Sequence, residues 1–142
     1  MVPSTLNDWT YEAIDALCAA GQSESDRHDF KLNLAELHNA TKICCAFANT
    51  YGGFVIVGVK DAGPGKFEIV GLGPDKELYG KFVAKVKADP DIAISTAKPI
   101  TIPGTDKLLY ALEIPQSSRR PHLPSPPDQR VSGNGRAPPA CK

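Results

Sequence analysis

The stretch Phe47–Asp61, FANTYGGFVIVGVKD, decides how the chain is read. Phe47 and the run Phe54–Val59 are what a core requires. Yet the stretch opens on polar Asn49 and Thr50, bends at Gly52-Gly53, and runs out into Asp61. Upstream, Leu37, Ala40, Ile43, Cys44, Phe47 and Ala48 recur at helical spacing, which predicts a helix over 36–49. Asn49 to Gly53 stop it, because consecutive glycines let the backbone take positive φ. FVIVGVK then reads as one strand buried on both faces, DAGPGK as a turn, and FEIVGL as its returning hairpin partner.

Outward from this centre, residues 8–20 read as a helix. Asn7 or Asp8 caps it, Trp9, Ile14, Leu17 and Cys18 form its apolar stripe, and Gly21 ends it. HDFKLNL alternates Phe30, Leu32 and Leu34 against Asp29, Lys31 and Asn33, the period of a half-buried strand. Residues 74–88 read as a third helix with Leu78, Phe82, Val83 and Val86 inward. DIAIST, KPITI and KLLYALEIP read as strands. The expected fold is α+β, about three helices on one mixed sheet. The segments are an N-terminal helix at 1–21, an α+β core at 22–116, and a Pro/Arg-rich end at 117–142, where only QRVSG suits an edge strand.

The 142 residues suit one core, and 42% hydrophobic with 23% charged residues is ordinary globular usage. No apolar run approaches the roughly 18 residues of a membrane helix. The N-terminus lacks a basic start and an apolar block, so no signal peptide is expected and the cytoplasm is the default location. Cys18, Cys44, Cys45 and Cys141 make no CxxC pair and read as small buried apolar side chains. The zero net charge is unevenly spread: residues 1–30 carry −5, and residues 117–142 carry +4 through Arg119, Arg120, Arg130, Arg136 and Lys142 against Asp128. Such a basic end either contacts phosphates or is a solvated tail.

Polar residues near strand ends suggest one chemical site. Asp29 and Lys31, two apart on a strand, share a face. Asp61 closes the glycine-containing strand, and Glu24 precedes the first strand. If the two strands are neighbours, three carboxylates converge beside Lys31. Carboxylates gathered in this way need a proton or a cation among them. Hard oxygen ligands suit Mg2+ or Mn2+, which activate water for phosphodiester cleavage. The plainer alternative is a loop Glu24, a turn-forming Asp61 and an Asp29–Lys31 ion pair. GPGK at 63–66 lacks P-loop spacing, and no Ser-His-Asp pattern is specific. His28 would face the opposite side of its strand from Asp29, and His38 lies on a helix surface. His122 follows RRP and is read as a contact to phosphate or base.

Together ESDRHDFK, AFANTYGGFVIVGVKD, IVGL, LEIPQSSRRPH and QRVSGNGRAPPA resemble the Schlafen-type AlbA_2 domain, also called divergent AAA_4, over about residues 22–137. The resemblance implies an α+β nucleic-acid-binding domain, often found at the front of longer transcriptional-regulator-like proteins. Some vertebrate Schlafens that share the motif are metal-dependent endoribonucleases acting on tRNA and rRNA. Their three acids fall on Glu24, Asp29 and Asp61, and their lysine on Lys31. Asp29 replaces the usual glutamate, and its shorter reach puts the metal geometry in doubt. Those enzymes enclose RNA with two lobes, whereas this chain has one; a homodimer could supply the second. The AAA label suggests an ATP-binding regulator, although no Walker sequence is present.

Three functions follow in order. The first is a nucleic-acid binder using Arg119, Arg120, Arg130, Arg136 and His122, with some of Lys81, Lys85 and Lys87. The second is a metal-dependent ribonuclease using Glu24, Asp29, Asp61 and Lys31. The third is a nucleotide-binding regulator.

Overall fold

In the computed structural model the described residues are 3, 5–21, 27–36, 38–118 and 121–124. Helix α1 spans Tyr11–Ala19, with a 3-10 turn Leu6–Asp8 before it. The cap is Thr10, whose hydroxyl accepts the Ala13 N–H at 3.2 Å, rather than Asn7 or Asp8. The helix starts late because Lys98 Nζ donates to the carbonyls of Leu6, Asn7 and Trp9, at 3.2, 3.1 and 2.9 Å. That ammonium ends the 3-10 turn and leaves Trp9 extended. Its fully buried indole packs near His28 and Phe54.

Strand β1 (His28–Lys31) is parallel to β2 (Gly53–Val57), joined through α2 (Ala40–Ala48). A parallel pair needs such a crossover. Helix α2 begins later than its periodicity suggests, after a separate 3-10 turn at Leu34–Glu36. Strand β2 also pairs antiparallel with β7 (Leu108–Ile114), which pairs with β6 (Lys98–Thr101). The mixed sheet therefore runs β1-β2-β7-β6.

Glycine breaks the long strand expected over FVIVGVK. Gly58 has φ 118°, and a Cβ there would lie 2.7 Å from Leu109 Cδ2. Its N–H donates to Lys31 O at 2.7 Å, and its carbonyl accepts from Val70 and Gly71 at 2.9 and 2.8 Å. The chain leaves the sheet here. Strands β3 (Val59–Gly63) and β4 (Lys66–Ile69) form their own hairpin.

Helix α3 is shorter than expected, Leu78–Ala84, preceded by Asp75, whose Oδ1 accepts the Glu77 N–H at 2.9 Å. DIAIST forms no strand. The Ser95 hydroxyl accepts the Glu113 N–H at 2.9 Å, where a regular strand would offer a carbonyl. Two-residue strands β5 (Ala88–Asp89) and β8 (Leu123–Pro124) pair antiparallel.

The alternation of β2 sorts the core into two layers. Val55, Val57, Leu112 and Ile114 face one side with Cys44, Phe47 and Ala48 of α2 and Leu78 and Phe82 of α3. Phe54, Ile56, Phe30 and Ala111 face the other with Trp9, Ile14 and Leu17, and with Val59, Phe67 and Ile69 of the hairpin. The sheet thus lies between two helical layers, the stable solution for a sheet apolar on both faces.

Candidate nucleic-acid interface

Asn49 and Thr50, the polar start of the central stretch, both hydrogen-bond to backbone. The Thr50 hydroxyl donates to Ala46 O at 2.8 Å and satisfies a carbonyl left open where α2 ends. The Asn49 side chain pairs with the backbone of His122: Nδ2 donates to His122 O at 3.1 Å, and His122 N–H donates to Oδ1 at 2.7 Å. Nearby, Ser117 N–H donates to Ala48 O at 3.0 Å. The polar end of the block is therefore an anchor for the segment after β7. Sequence reasoning missed this role of Asn49, because its partner lies 73 residues away and no local spacing connects them.

The His122 ring, read from the sequence as a nucleic-acid contact, is 1% exposed. Nδ1 lies 2.6 Å from Pro90 O, and Nε2 lies 2.6 Å from Ser117 Oγ. A carbonyl only accepts, so Nδ1 carries the proton, and in the neutral ring Nε2 accepts from the Ser117 hydroxyl. Arg119 and Arg120 lie in sequence between the anchored Ser117 and His122. They fall outside the described residues, as do Arg130, Arg136 and the QRVSG stretch.

The same end of the sheet carries Arg27. Its Nε donates to Gly52 O at 3.1 Å, and its carbonyl accepts Phe54 N–H at 2.8 Å. Gly52 has φ 81°, and a Cβ there would lie 2.8 Å from Gln116 N. Only glycine allows this approach between the α2–β2 turn and the end of β7.

Two of the three expected acids, Asp29 and Asp61, lie among the described residues. Asp29 sits in β1 at 9% exposure, with Oδ2 3.6 Å from Lys31 Nζ. The two share the sheet face of Val55 and Val57, under α2. The expected neighbour relation of β1 and the glycine-bounded strand is present. Asp61, however, lies beyond Gly58 on the exposed hairpin, and its Oδ1 accepts the Gly63 N–H at 3.0 Å. That hairpin packs on the opposite sheet face, where Phe67 meets Phe30 at 6.4 Å between ring centroids. Among the described residues no group of three His, Cys, Asp or Glu side chains is placed to hold a metal. Glu24, the third expected member, lies outside the described residues.

A cavity of about 520 Å3 between α3 and β6–β7 is lined by Asp75, Tyr79, Pro99 and Tyr110, among others. Both of its tyrosine hydroxyls already serve the fold. The Tyr110 hydroxyl accepts the Asp75 N–H at 2.8 Å, and the Tyr79 hydroxyl donates to Ile94 O at 3.0 Å. The Asp75 carboxyl is held below its ordinary range, first by the Glu77 N–H and then by Lys81, whose Nζ lies 3.1 Å from Oδ2. Lys85 and Lys87 lie past the end of α3, where Thr41 Oγ1 donates to Lys85 O and accepts Lys87 N–H. No helix among the described residues is long and apolar enough to cross a membrane.

A mixed sheet with α2 and α3 on one face and α1 with the β3–β4 hairpin on the other is an α+β domain. The chain belongs to the Schlafen AlbA_2 family, whose sequence pattern matches residues 24–134. No curated protein matches by sequence. The solution structure of the N-terminal domain of a RecG-related protein from Nitrosomonas europaea is similar at TM-score 0.58 and 18% identity, over 87% of this chain and 88% of that one. A crystal structure from Corynebacterium diphtheriae aligns at TM-score 0.42 and 18% identity, over 80% of this chain and 23% of that one. The first comparison supports the α+β fold.

Proposed function

We propose that this chain is a nucleic-acid-binding domain that meets phosphates through its Arg-rich C-terminal segment. The observation that carries the reading is the double anchor: Ser117 on Ala48 and His122 on Asn49 fix both flanks of Arg119-Arg120 to the C-terminal end of α2. Restricting the flanks reduces the conformational entropy lost when cations engage phosphates. The neighbour's name refers to a DNA helicase, the same class of ligand.

The test is a salt titration of binding to nucleic acid, comparing wild type with an Arg119→Ala/Arg120→Ala variant. The expected result is weaker binding at low salt. The slope of log K against log salt should fall by about 0.7–0.9 per lost phosphate contact. Equal affinity and equal slope in the two proteins would reject the reading.

The nuclease reading requires Glu24, Asp29 and Asp61 to hold Mg2+ or Mn2+ together, and a second copy of the chain to complete an RNA-enclosing pair. Its support is the low exposure of Asp29 beside Lys31. Incubation of tRNA with Mn2+, beside Glu24→Ala and Asp29→Asn controls, separates cutting from binding. Cleavage that persists in both controls counts against these acids. A role in transcriptional regulation depends on the nucleic acid bound.

A further inference from the structure

Resting on the nucleic-acid-binding reading, we infer that Tyr51 is a stacking platform for an unpaired base, so that the ligand is single-stranded or contains a single-stranded segment. Tyr51 is 68% exposed, whereas the other exposed large hydrophobics among the described residues, Val70, Tyr79 and Val83, are each 37% exposed. Phe47 and Phe54 on either side are buried, so the turn sends one aromatic outward between two that pack inward.

The turn is fixed at many points. Thr50 and Gly52 N–H groups both donate to Phe47 O, at 3.1 and 2.7 Å. The Thr50 hydroxyl holds Ala46 O, Arg27 holds Gly52 O, and Gly52 lies against Gln116. A ring on a rigid backbone has only two side-chain torsions to fix on binding, so stacking has a small entropic cost. Base–aromatic stacking tolerates any base, because every base has a π face.

The strap tied to Asn49, two residues before the ring, is basic in sequence. Residues 114–127, which include the anchored strap, contain Arg119 and Arg120 and no acid. An exposed aromatic beside a basic strap suits a nucleic acid, with phosphates on the cations and a base on the ring. In a duplex the base faces are already stacked on one another, so the platform gains nothing from base-paired nucleic acid. The interface therefore prefers a single strand, of RNA or of DNA.

The experiment is fluorescence anisotropy at low salt with labelled oligouridylate, oligodeoxythymidylate and a duplex, on wild type, Tyr51→Ala and Tyr51→Phe. Tyr51→Ala should lose roughly ten- to hundredfold in affinity for the single strands. Tyr51→Phe should stay close to wild type, and duplex binding should change least. The two single strands distinguish RNA from DNA as the preferred source of the base. If Tyr51→Ala binds single strands as wild type does, the inference fails while the broader reading stands. If Tyr51→Phe loses as much as Tyr51→Ala, a hydroxyl contact and not stacking is responsible, and the inference again fails. If wild type binds none of the three probes, both the inference and the reading beneath it fall. Tyr51 is exposed, so unchanged circular dichroism in both variants is expected.

Discussion

The Asn49 amide and the His122 backbone form a two-way hydrogen-bonded pair, with Nδ2···O at 3.1 Å and N···Oδ1 at 2.7 Å. The side chain thus offers the strap what a neighbouring strand would offer, one donor and one acceptor. Asn49→Ala should remove both bonds and cost about 1–3 kcal/mol. Asn49→Asp retains the acceptor but has no amide N–H for His122 O, so it should lose nearly as much. Urea denaturation measures the cost. Limited proteolysis should cut the variants after β7 faster than wild type, and equal cutting would argue against the anchor.

Lys98 ties the N-terminal turn to the sheet. Its ammonium reaches three carbonyls, of Leu6, Asn7 and Trp9. Lys98→Met keeps much of the stem but leaves those acceptors without this donor. The expected cost is about 1.5–3 kcal/mol, the range for hydrogen bonds to a charged group. Trp9 is the single tryptophan and is fully buried. Its emission should therefore shift to longer wavelength in the variant as the indole gains water.

Gly53 is required by the ring of Phe47. A Cβ at Gly53 would come within 2.4–2.6 Å of three Phe47 ring atoms, and that ring is buried. Gly53→Ala should destabilise the protein by about 1–3 kcal/mol through overpacking. Combining it with Phe47→Leu should cost less than the sum of the single changes, because the smaller side chain clears the overlap. Additive effects in denaturant titrations would show that the clash is not the cause.

Cys18 sets a stability change at alkaline pH. Burial, and secondarily the Asp15 charge, push its thiol from the ordinary 9.0 to about 11. Between these values the unfolded chain releases the thiol proton while the folded chain keeps it. Deprotonation therefore favours unfolding, and stability should fall as pH rises from about 9 through about 11. Below pH 9 the contribution is fully present. Cys18→Ala should flatten this part of the pH–stability curve. In wild type, alkylation of Cys18 at pH 8 should be slow until denaturant is added, because the thiolate is the reactive form.

Local chemistry fixed much of the architecture. The helical period of Leu37–Ala48, the alternation around Phe30, the apolar run Phe54–Val59 and the glycines at 52 and 53 come from torsional freedom and side-chain period, both properties of neighbours in sequence. From these the α+β class was legible, whereas the adjacency of β1 and β2 was only a condition that the structure met. What depended on distant partners was not. Lys98 moved the start of the first helix, Ser95 replaced a ladder carbonyl, and Gly58 diverted Asp61 to a hairpin on the sheet face opposite Asp29. The Asn49–His122 pair and the outward ring of Tyr51 likewise emerged only when strands and helix were assembled. Hydrogen bonds between residues far apart in sequence leave no periodic trace in the chain, so tertiary packing alone decided where the polar ends of the central block would point.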